Sequence, residues 1–138
     1  MILGAIRDIF LDSTEVTDLV GTKIYAVWVP QGVQRPHVDI RIVNTQADTH
    51  LTGNTNMYKS IVTIDVTTNN VLLGDEIATA LMESGIVSFK GIKSGVDIRG
   101  VDIDEGIYHI DEGVEPGSDE HVTTTTFSLE IAWARSCT

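Results

Sequence analysis

The chain contains one cysteine among its 138 residues, and this scarcity excludes two kinds of site. Cys137 is the next-to-last residue, so no intramolecular disulfide and no zinc site built from several cysteines can form. A free thiol suits assembly in a reducing cytoplasm. Because no electropositive residues surround Cys137 in the sequence, it is not predicted to be a nucleophile.

Basic residues are also scarce. Lysine and arginine total 9 against 20 aspartates and glutamates, which gives a formal net charge of -11. Tight binding of free nucleic acid is disfavoured, because neutralising phosphates requires many basic side chains. An acidic surface is still compatible with DNA that passes without adhering. The opening MILGAIRDIF has no basic leader and carries Arg7 and Asp8, so we expect neither a secretory signal nor a membrane span.

The sequence lacks the common catalytic motifs. No GxSxG, GxGxxG or GxxxxGK[ST] pattern occurs, so nothing predicts a hydrolase elbow or a phosphate-binding loop. The four histidines, His37, His50, His109 and His121, never stand at the i, i+4 spacing of a helical zinc site. His109 and His121 could approach each other across a β-hairpin, but such pairs are usually bystanders. We therefore predict no enzyme activity, no cofactor and no metal.

Length and composition are those of one folded domain, predicted over residues 1–138. The hydrophobic fraction of 42% and the charged fraction of 21% are ordinary for a globular chain and argue against disorder.

Three helices are predicted from apolar residues at helical spacing. Ile2, Ile6, Ile9 and Phe10 give a first helix over residues 2–11. Asp12 stands three residues before Glu15 as in a capping box, which predicts a short second helix that stops at Gly21. In NNVLLGDEIATALMES, apolar residues predict a helix that lies across a sheet and ends at Gly85.

The other segments have strand character. KIYAVWV (23–29) is β-branched and aromatic, and the prolines of PQGVQRP make the next segment a loop. VDIRIV and YKSIVTIDVTT alternate apolar and polar residues, with Ile42 among the inward positions. The polar residues 44–56 indicate an exposed connection or a hairpin tip. Trp28 and Trp133 are interpreted as core or interface anchors, since no basic residues interleave with them.

The last third predicts a long hairpin, with residues 96–110 as one arm and 121–134 as the other. The second arm places six residues on one face: Thr123, Thr125, Phe127, Leu129, Ile131 and Trp133. IDEG at 103–106 predicts a bulge in the first arm, and DEGVEPGSDE (111–120) is the predicted connection. The predicted class is α+β: a mostly antiparallel sheet with a long C-terminal hairpin, one central helix packed on it and short N-terminal helices.

The stretch DIDEGIYHIDEG also suggests a calcium loop, but the EF-hand register fails. If Asp102 is position 1, Gly106 falls at position 5, where a ligand belongs. A small enzyme could draw on Asp102, Asp104, Asp111 and Glu112, although nothing encloses them so as to separate their pKa values. A solvated hairpin is the simpler interpretation.

In its order of motifs, the chain resembles the tail-completion, or tail-terminator, proteins of long-tailed bacteriophages. The likeness is carried by IRDIFLDSTEVTDLVGTKIYAVWVPQG, by RPHVDIRIV, by the central DEIATALMES, and by GIYHIDEG with TTTTFSLEIAWA. The middle helix is poorer in alanine than is typical of the family, and the loop at 111–120 is longer and more acidic.

The resemblance implies a structural virion protein without catalytic residues. Such a subunit assembles in the host cytoplasm as a six-membered ring at the neck end of the tail. The ring stops polymerisation of the tail tube protein, offers a surface to head-tail connector proteins and lets DNA pass through its lumen without specific binding; no membrane is involved. Loop residues are predicted to contact these partners: Gln31, Gly32, Gln34, Asp48, His50, Asn54, Asp111, Glu112, Glu115, Asp119 and Glu120. The alternative is a monomeric cation-binding module, or another head-tail connector module, that uses the acidic hairpin.

Overall fold

The computed structural model describes residues 2–50, 53–114 and 121–135, of which 48–50, 53–56, 111–112, 114 and 135 are described by their backbone alone. Helix α1 spans Ile2–Leu11, α2 spans Thr14–Val20 and α3 spans Val71–Leu81. A wider π-helical turn, Met82–Ile86, continues α3. Within the described residues, no helix is long and apolar enough to cross a membrane.

Six strands form one sheet in the order β1-β2-β3-β6-β5-β4. Their bounds are β1 Ile24–Ala26, β2 His37–His50, β3 Gly53–Thr68, β4 Gly91–Lys93, β5 Val96–Val114 and β6 His121–Arg135. Only the β1–β2 pair is parallel, and the other four pairs are antiparallel. The predicted α+β class, with a mostly antiparallel sheet, a long C-terminal hairpin and one central helix, is confirmed.

The helices cover one face of the sheet, here called the helix face, and leave the other face without helices. Strand alternation directs apolar side chains to the helix face, where Ile40, Ile64 and Phe127 are fully buried. They meet the apolar stripe of α1, which includes Ile6 and Phe10. This core joins all three helices to the sheet. The opposite, helix-free face carries mainly polar side chains.

The helix predictions are confirmed in position but corrected at one cap. Residue Ser13, not Asp12, precedes α2, and it makes no side-chain capping bond. Asp12 instead pairs with Lys93 of β4, so tertiary contact replaced the expected capping box. Both predicted stops hold: Gly21 has φ 61° and Gly85 has φ 97°, conformations that glycine adopts at little cost.

The N-terminal strand predictions differ from the structure in the length of one strand and in the burial of one residue. The strand expected in KIYAVWV is only Ile24–Ala26, because Val27 turns the chain with φ 71°. Ile42 lies in the predicted register, opposite buried Val62, but it is 39% exposed, and a β-bulge between Ile42 and Asn44 shifts the residues that follow. Of the two alternatives predicted for residues 44–56, an exposed connection or a hairpin tip, the structure favours the hairpin: residues 44–50 and 53–56 pair as extensions of β2 and β3.

The C-terminal hairpin confirms the predicted bulge and corrects the histidine pairing. All six residues predicted on one face of β6 are buried. Register shifts at Ile103/Glu105 and Glu105/Tyr108 fall within and next to IDEG. His109 lies opposite Thr125 and His121 lies opposite Val114, so these two histidines are not cross-strand partners.

Candidate interaction surfaces

The outer side of β2 is largely open. β1 is three residues long and pairs only with residues 38–40 of β2. One further bond, from the amide of Val27 to the carbonyl of Ile40, is 2.7 Å long. Within the described residues, no strand pairs with the outer side of β2 beyond this point. We call residues 41–47 the β2 edge.

The outer side of β5 is open in the same way. β4 pairs only with residues 96–98, and the amide of Ser88 donates to the carbonyl of Val101 over 2.9 Å. Beyond Val101, no strand of the described chain pairs with the outer side of β5. We call residues 102–110 the β5 edge. One sheet therefore offers unpaired backbone groups on both sides, a feature that natural proteins normally cover or pair.

The two edges differ in charge and share exposed apolar residues. The β2 edge reads RIVNTQA, with one arginine and no acid, whereas the β5 edge reads DIDEGIYHI, with three carboxylates and no lysine or arginine. Val43 is 64% exposed on the β2 edge, and Ile103 is 48% exposed on the β5 edge. Like charges would oppose pairing of two β5 edges, while the β2 edge adds no such repulsion.

A polar trough crosses the helix-free face. The strand registers set two rows across four strands: Asp39, Asp65, Thr126 and Tyr108 form one row, and His37, Thr67, Thr124 and Ile110 form the next. Both rows line one cavity of about 330 Å³, together with Val29 and Arg41. The helix-free face thus holds a depression that spans four strands.

Charges in the trough are unevenly paired. Asp65 accepts a 2.8 Å hydrogen bond from the Thr126 hydroxyl and lies 3.1 Å from the Arg41 guanidinium. In the described structure, Oδ1 of Asp39 and Nδ1 of His37 are buried without a hydrogen-bond partner. Burial raises the pKa of Asp39, and the facing Asp65 raises it further, while Arg41 lowers it. Burial lowers the pKa of His37, as do Arg35 and Lys23.

We expect Asp39→Asn to stabilise the protein at pH 7 by roughly 0.5 kcal/mol, allowing for solvent screening of this half-buried group. A raised pKa means that the folded state holds the Asp39 proton more tightly than the unfolded chain does. Ionisation therefore costs stability as the pH rises above 3.8, the ordinary value. Thermal unfolding should show an advantage that shrinks as the pH falls towards that value.

The matched control is Asp65→Asn. It weakens the contact with Arg41 and the bond from Thr126, so its melting temperature should fall at pH 7. A fall of similar size for Asp39→Asn would contradict the unpaired-carboxylate interpretation.

The predicted partner residues have different outcomes. Gln31, Gly32 and Gln34 lie exposed in the loop between β1 and β2, as expected. The others were expected in loops, but the structure places Asp48 and His50 in β2, Asn54 in β3, and Asp111 and Glu112 in β5. Glu115, Asp119 and Glu120 lie outside the described residues. Within the described residues, parts of two predicted loops are thus extensions of β2, β3 and β5.

Sequence reasoning did not locate the two open edges, and it left both tryptophans as either core or interface anchors. Trp133 is 8% exposed and donates to the Ser60 hydroxyl over 2.9 Å, so it is a core residue. Trp28 is 71% exposed, so it is not part of the core. The sequence did contain a signal for the open edge of β2. Pro30 and Pro36 closely follow the segment that forms β1, and proline limits how far a strand can pair with its neighbour.

Metal-binding groups are not brought together in the described structure. No cluster of three or more histidine, cysteine, aspartate or glutamate residues suited to a metal ion occurs within residues 2–50, 53–114 and 121–135. On β5, Asp104 accepts a 3.2 Å hydrogen bond from Ser128, and the Glu105 amide donates to the same hydroxyl over 3.1 Å. These contacts anchor the bulge to β6.

Comparisons with known proteins show the fold alone. No family model and no curated protein matches the sequence. Among solved structures, the chain is similar to one from a "Virion of native gene transfer agent (GTA) particle", with a TM-score of 0.68 and 15% identity over 96% of this chain and 93% of that chain. A second solved chain, whose description states no function, gives a TM-score of 0.53 and 10% identity over 93% and 94% of the two chains. The fold found here thus occurs, nearly end to end, in a chain of a virion particle.

Proposed function

We propose that the protein is a single-domain structural subunit of a phage-like virion. It closes the tail tube as a ring, ends tube polymerisation and forms the surface that joins tail to head. The single observation that carries this proposal is the pair of open edges on opposite sides of one sheet. The similarity to a chain of a gene transfer agent virion supports a virion role.

Opposite open edges favour a ring over a dimer. When the β2 edge of one copy meets the β5 edge of the next, the contact is head-to-tail, and such contacts close into rings or extend into filaments. Closure leaves no edge exposed at either side. The number six is implied by the resemblance to tail terminators.

Strand directions are compatible with closure. From β2 through β3 and β6 to β5, each neighbouring pair is antiparallel, so β2 and β5 run in opposite directions. Rotation about a ring axis roughly parallel to the strands preserves their directions. The β2 edge of one copy would therefore meet the β5 edge of the next in antiparallel pairing, and alternation would continue around the ring.

The placement of the helices favours the helix-free face as the inner surface. The three helices lie on one face of the sheet, and in a ring they would occupy the wider outer circumference. The lumen would then present hydroxyls and carboxylates such as Thr63, Asp65, Thr124 and Glu130. Like charge would keep DNA from adhering as it passes, and we propose no catalytic step at this surface.

Negative-stain microscopy with sedimentation of the concentrated protein tests the proposal. We expect rings with a central hole, of a mass that is a fixed multiple of the 15.0 kDa chain. Because no metal cluster occurs in the described residues, magnesium and a chelator should give the same rings. A monomer at every concentration, also when mixed with tubes of the tail protein from the same genome, would contradict it.

A further inference from the structure

A strained turn holds Trp28 in solvent. Val27 has φ 71°, a left-handed conformation that is an outlier for a β-branched residue. The amide of Trp28 donates to the carbonyl of Ala26 over 2.8 Å, the i to i+2 bond of a γ-turn. The Val27 amide is held by the carbonyl of Ile40 over 2.7 Å.

The turn makes no contribution to the core that would explain its strain. Val27 is 65% exposed and Trp28 is 71% exposed. Strained backbone costs about 1–3 kcal/mol and persists where surrounding structure enforces it, most often at functional sites. Tryptophan is also enriched among residues that dominate binding energy at protein interfaces. We call Val27 and Trp28 the Trp28 turn.

We propose that the Trp28 turn is the anchor of the contact between copies, and that Trp28 packs on Tyr108 and Ile110 of the next copy. The inference rests on the proposed ring. Its partner is a second copy of this chain because the same sheet carries both halves of the contact, one on each side.

The antiparallel direction decides which part of the β5 edge Trp28 reaches. The turn lies beside Ile40, at the start of the β2 edge. Antiparallel pairing sets the start of the β2 edge against the end of the β5 edge. Tyr108 and Ile110 stand at that end, and both are large apolar residues that remain exposed. Each copy would thus cover exposed apolar surface that its own fold leaves in water.

Charge supports this pairing over the alternatives. The β5 edge carries Asp102, Asp104 and Glu105, whereas the β2 edge carries Arg41 alone. Two β5 edges would place these carboxylates against each other and would repel. The heterologous pairing avoids this repulsion, because the β2 edge carries no acidic residue.

Disulfide formation between chains tests the contact in the full-length protein. One chain carries Trp28→Cys and a second carries Ile110→Cys, both with Cys137→Ser, and a parallel mixture uses Tyr108→Cys in place of Ile110→Cys. We expect a disulfide-linked dimer in at least one mixture and none with either chain alone. A chain carrying both cysteines should give a ladder of products up to the size of the ring, because a head-to-tail contact repeats at every interface.

Leu72→Cys supplies the matched control. Leu72 is 84% exposed at the start of α3, so mixing it with Trp28→Cys should give no linked dimer. In the intact chain, Trp28→Ala should raise the concentration for half-assembly about tenfold or more, as expected for an interface anchor.

The outcomes separate the contact from the ring. Rings formed by the Cys137→Ser parent, without a Trp28-dependent link and with unchanged assembly of Trp28→Ala, would overturn the anchor and leave the proposed function standing. Failure of the parent to assemble, alone and on tail tubes, would overturn both. Links equally strong through Leu72→Cys would show non-specific collision and would also overturn the anchor.

Discussion

Replacing Gly74 with alanine is expected to destabilise the folded protein by about 3 kcal/mol, although alanine is the better helix former. Gly74 is buried where α3 crosses β6. An added Cβ would stand 2.3 Å from the Thr125 hydroxyl oxygen and 3.2 Å from that of Thr68. Thr125 cannot turn away cheaply, because its χ1 is restricted and its hydroxyl bonds to His109 over 3.0 Å. Chemical denaturation of the purified variant measures the loss.

Gly4→Ala is the matched control on another helix. Gly4 is exposed on α1, and an added Cβ there meets nothing within 4 Å. The same substitution should therefore stabilise the protein by about 0.5–1 kcal/mol. Adding Thr125→Ala to Gly74→Ala should restore part of the lost stability, because it removes the closest atom. Equal effects at the two glycines would contradict the steric explanation.

Replacing Ala47 with proline is expected to abolish ring assembly while the subunit stays folded. On β2, the Val38 amide donates to the carbonyl of Lys23 and the Ile40 carbonyl accepts from Val27, so residues facing the helices direct their backbone groups to the outer edge. Beyond the bulge, Thr45 also faces the helices, because its hydroxyl oxygen lies 2.9 Å from that of buried Ser60. Ala47 is two residues further along the strand, so by alternation its amide also points to the outer edge.

Proline at residue 47 would remove one edge donor and place its ring where a partner strand must approach. The loss of one hydrogen bond at each interface weakens every contact about tenfold, and the steric clash adds to this. Sedimentation should show monomers at concentrations where the parent forms rings, with a melting temperature close to that of the parent.

Two neighbouring variants sharpen the test. Ala47→Val keeps the amide and should assemble like the parent. Gln46→Pro should instead weaken the fold, because residue 46 directs its amide to β3, where it lies opposite Lys59. If Ala47→Pro formed rings as readily as the parent, the β2 edge would not be part of the interface.

Alternation and helical spacing predicted most of the described secondary structure. Val62, Ile64 and Val66 alternate with polar residues because one face of β3 is buried, and the structure buries all three. The stripe of α1 and the stops at Gly21 and Gly85 also follow from local chemistry. These features depend on neighbours within a few residues, which is why the sequence reveals them.

Local chemistry misled where a distant residue competed. The capping box predicted at Asp12 does not form, because the Asp12 carboxylate pairs with Lys93, which is far along the chain. The alternation of β2 holds through Ile42, which lies opposite buried Val62, but a bulge that the sequence did not reveal shifts the side chains that follow. Trp28 was expected to be a core or interface anchor, and its apolar character did not show that a turn at Val27 would keep it out of the core.

By itself, the sequence determined the α+β class, the long C-terminal hairpin, the central helix across the sheet and the scarcity of basic and cysteine chemistry. Each follows from composition or from a period of two or 3.6 residues. Only the tertiary structure decided that β1 and β4 are too short to cover their neighbours, that polar residues of four strands line one cavity, and that Asp39 faces Asp65. These features depend on which strands pair and in which register, and pairing joins residues far apart in the chain.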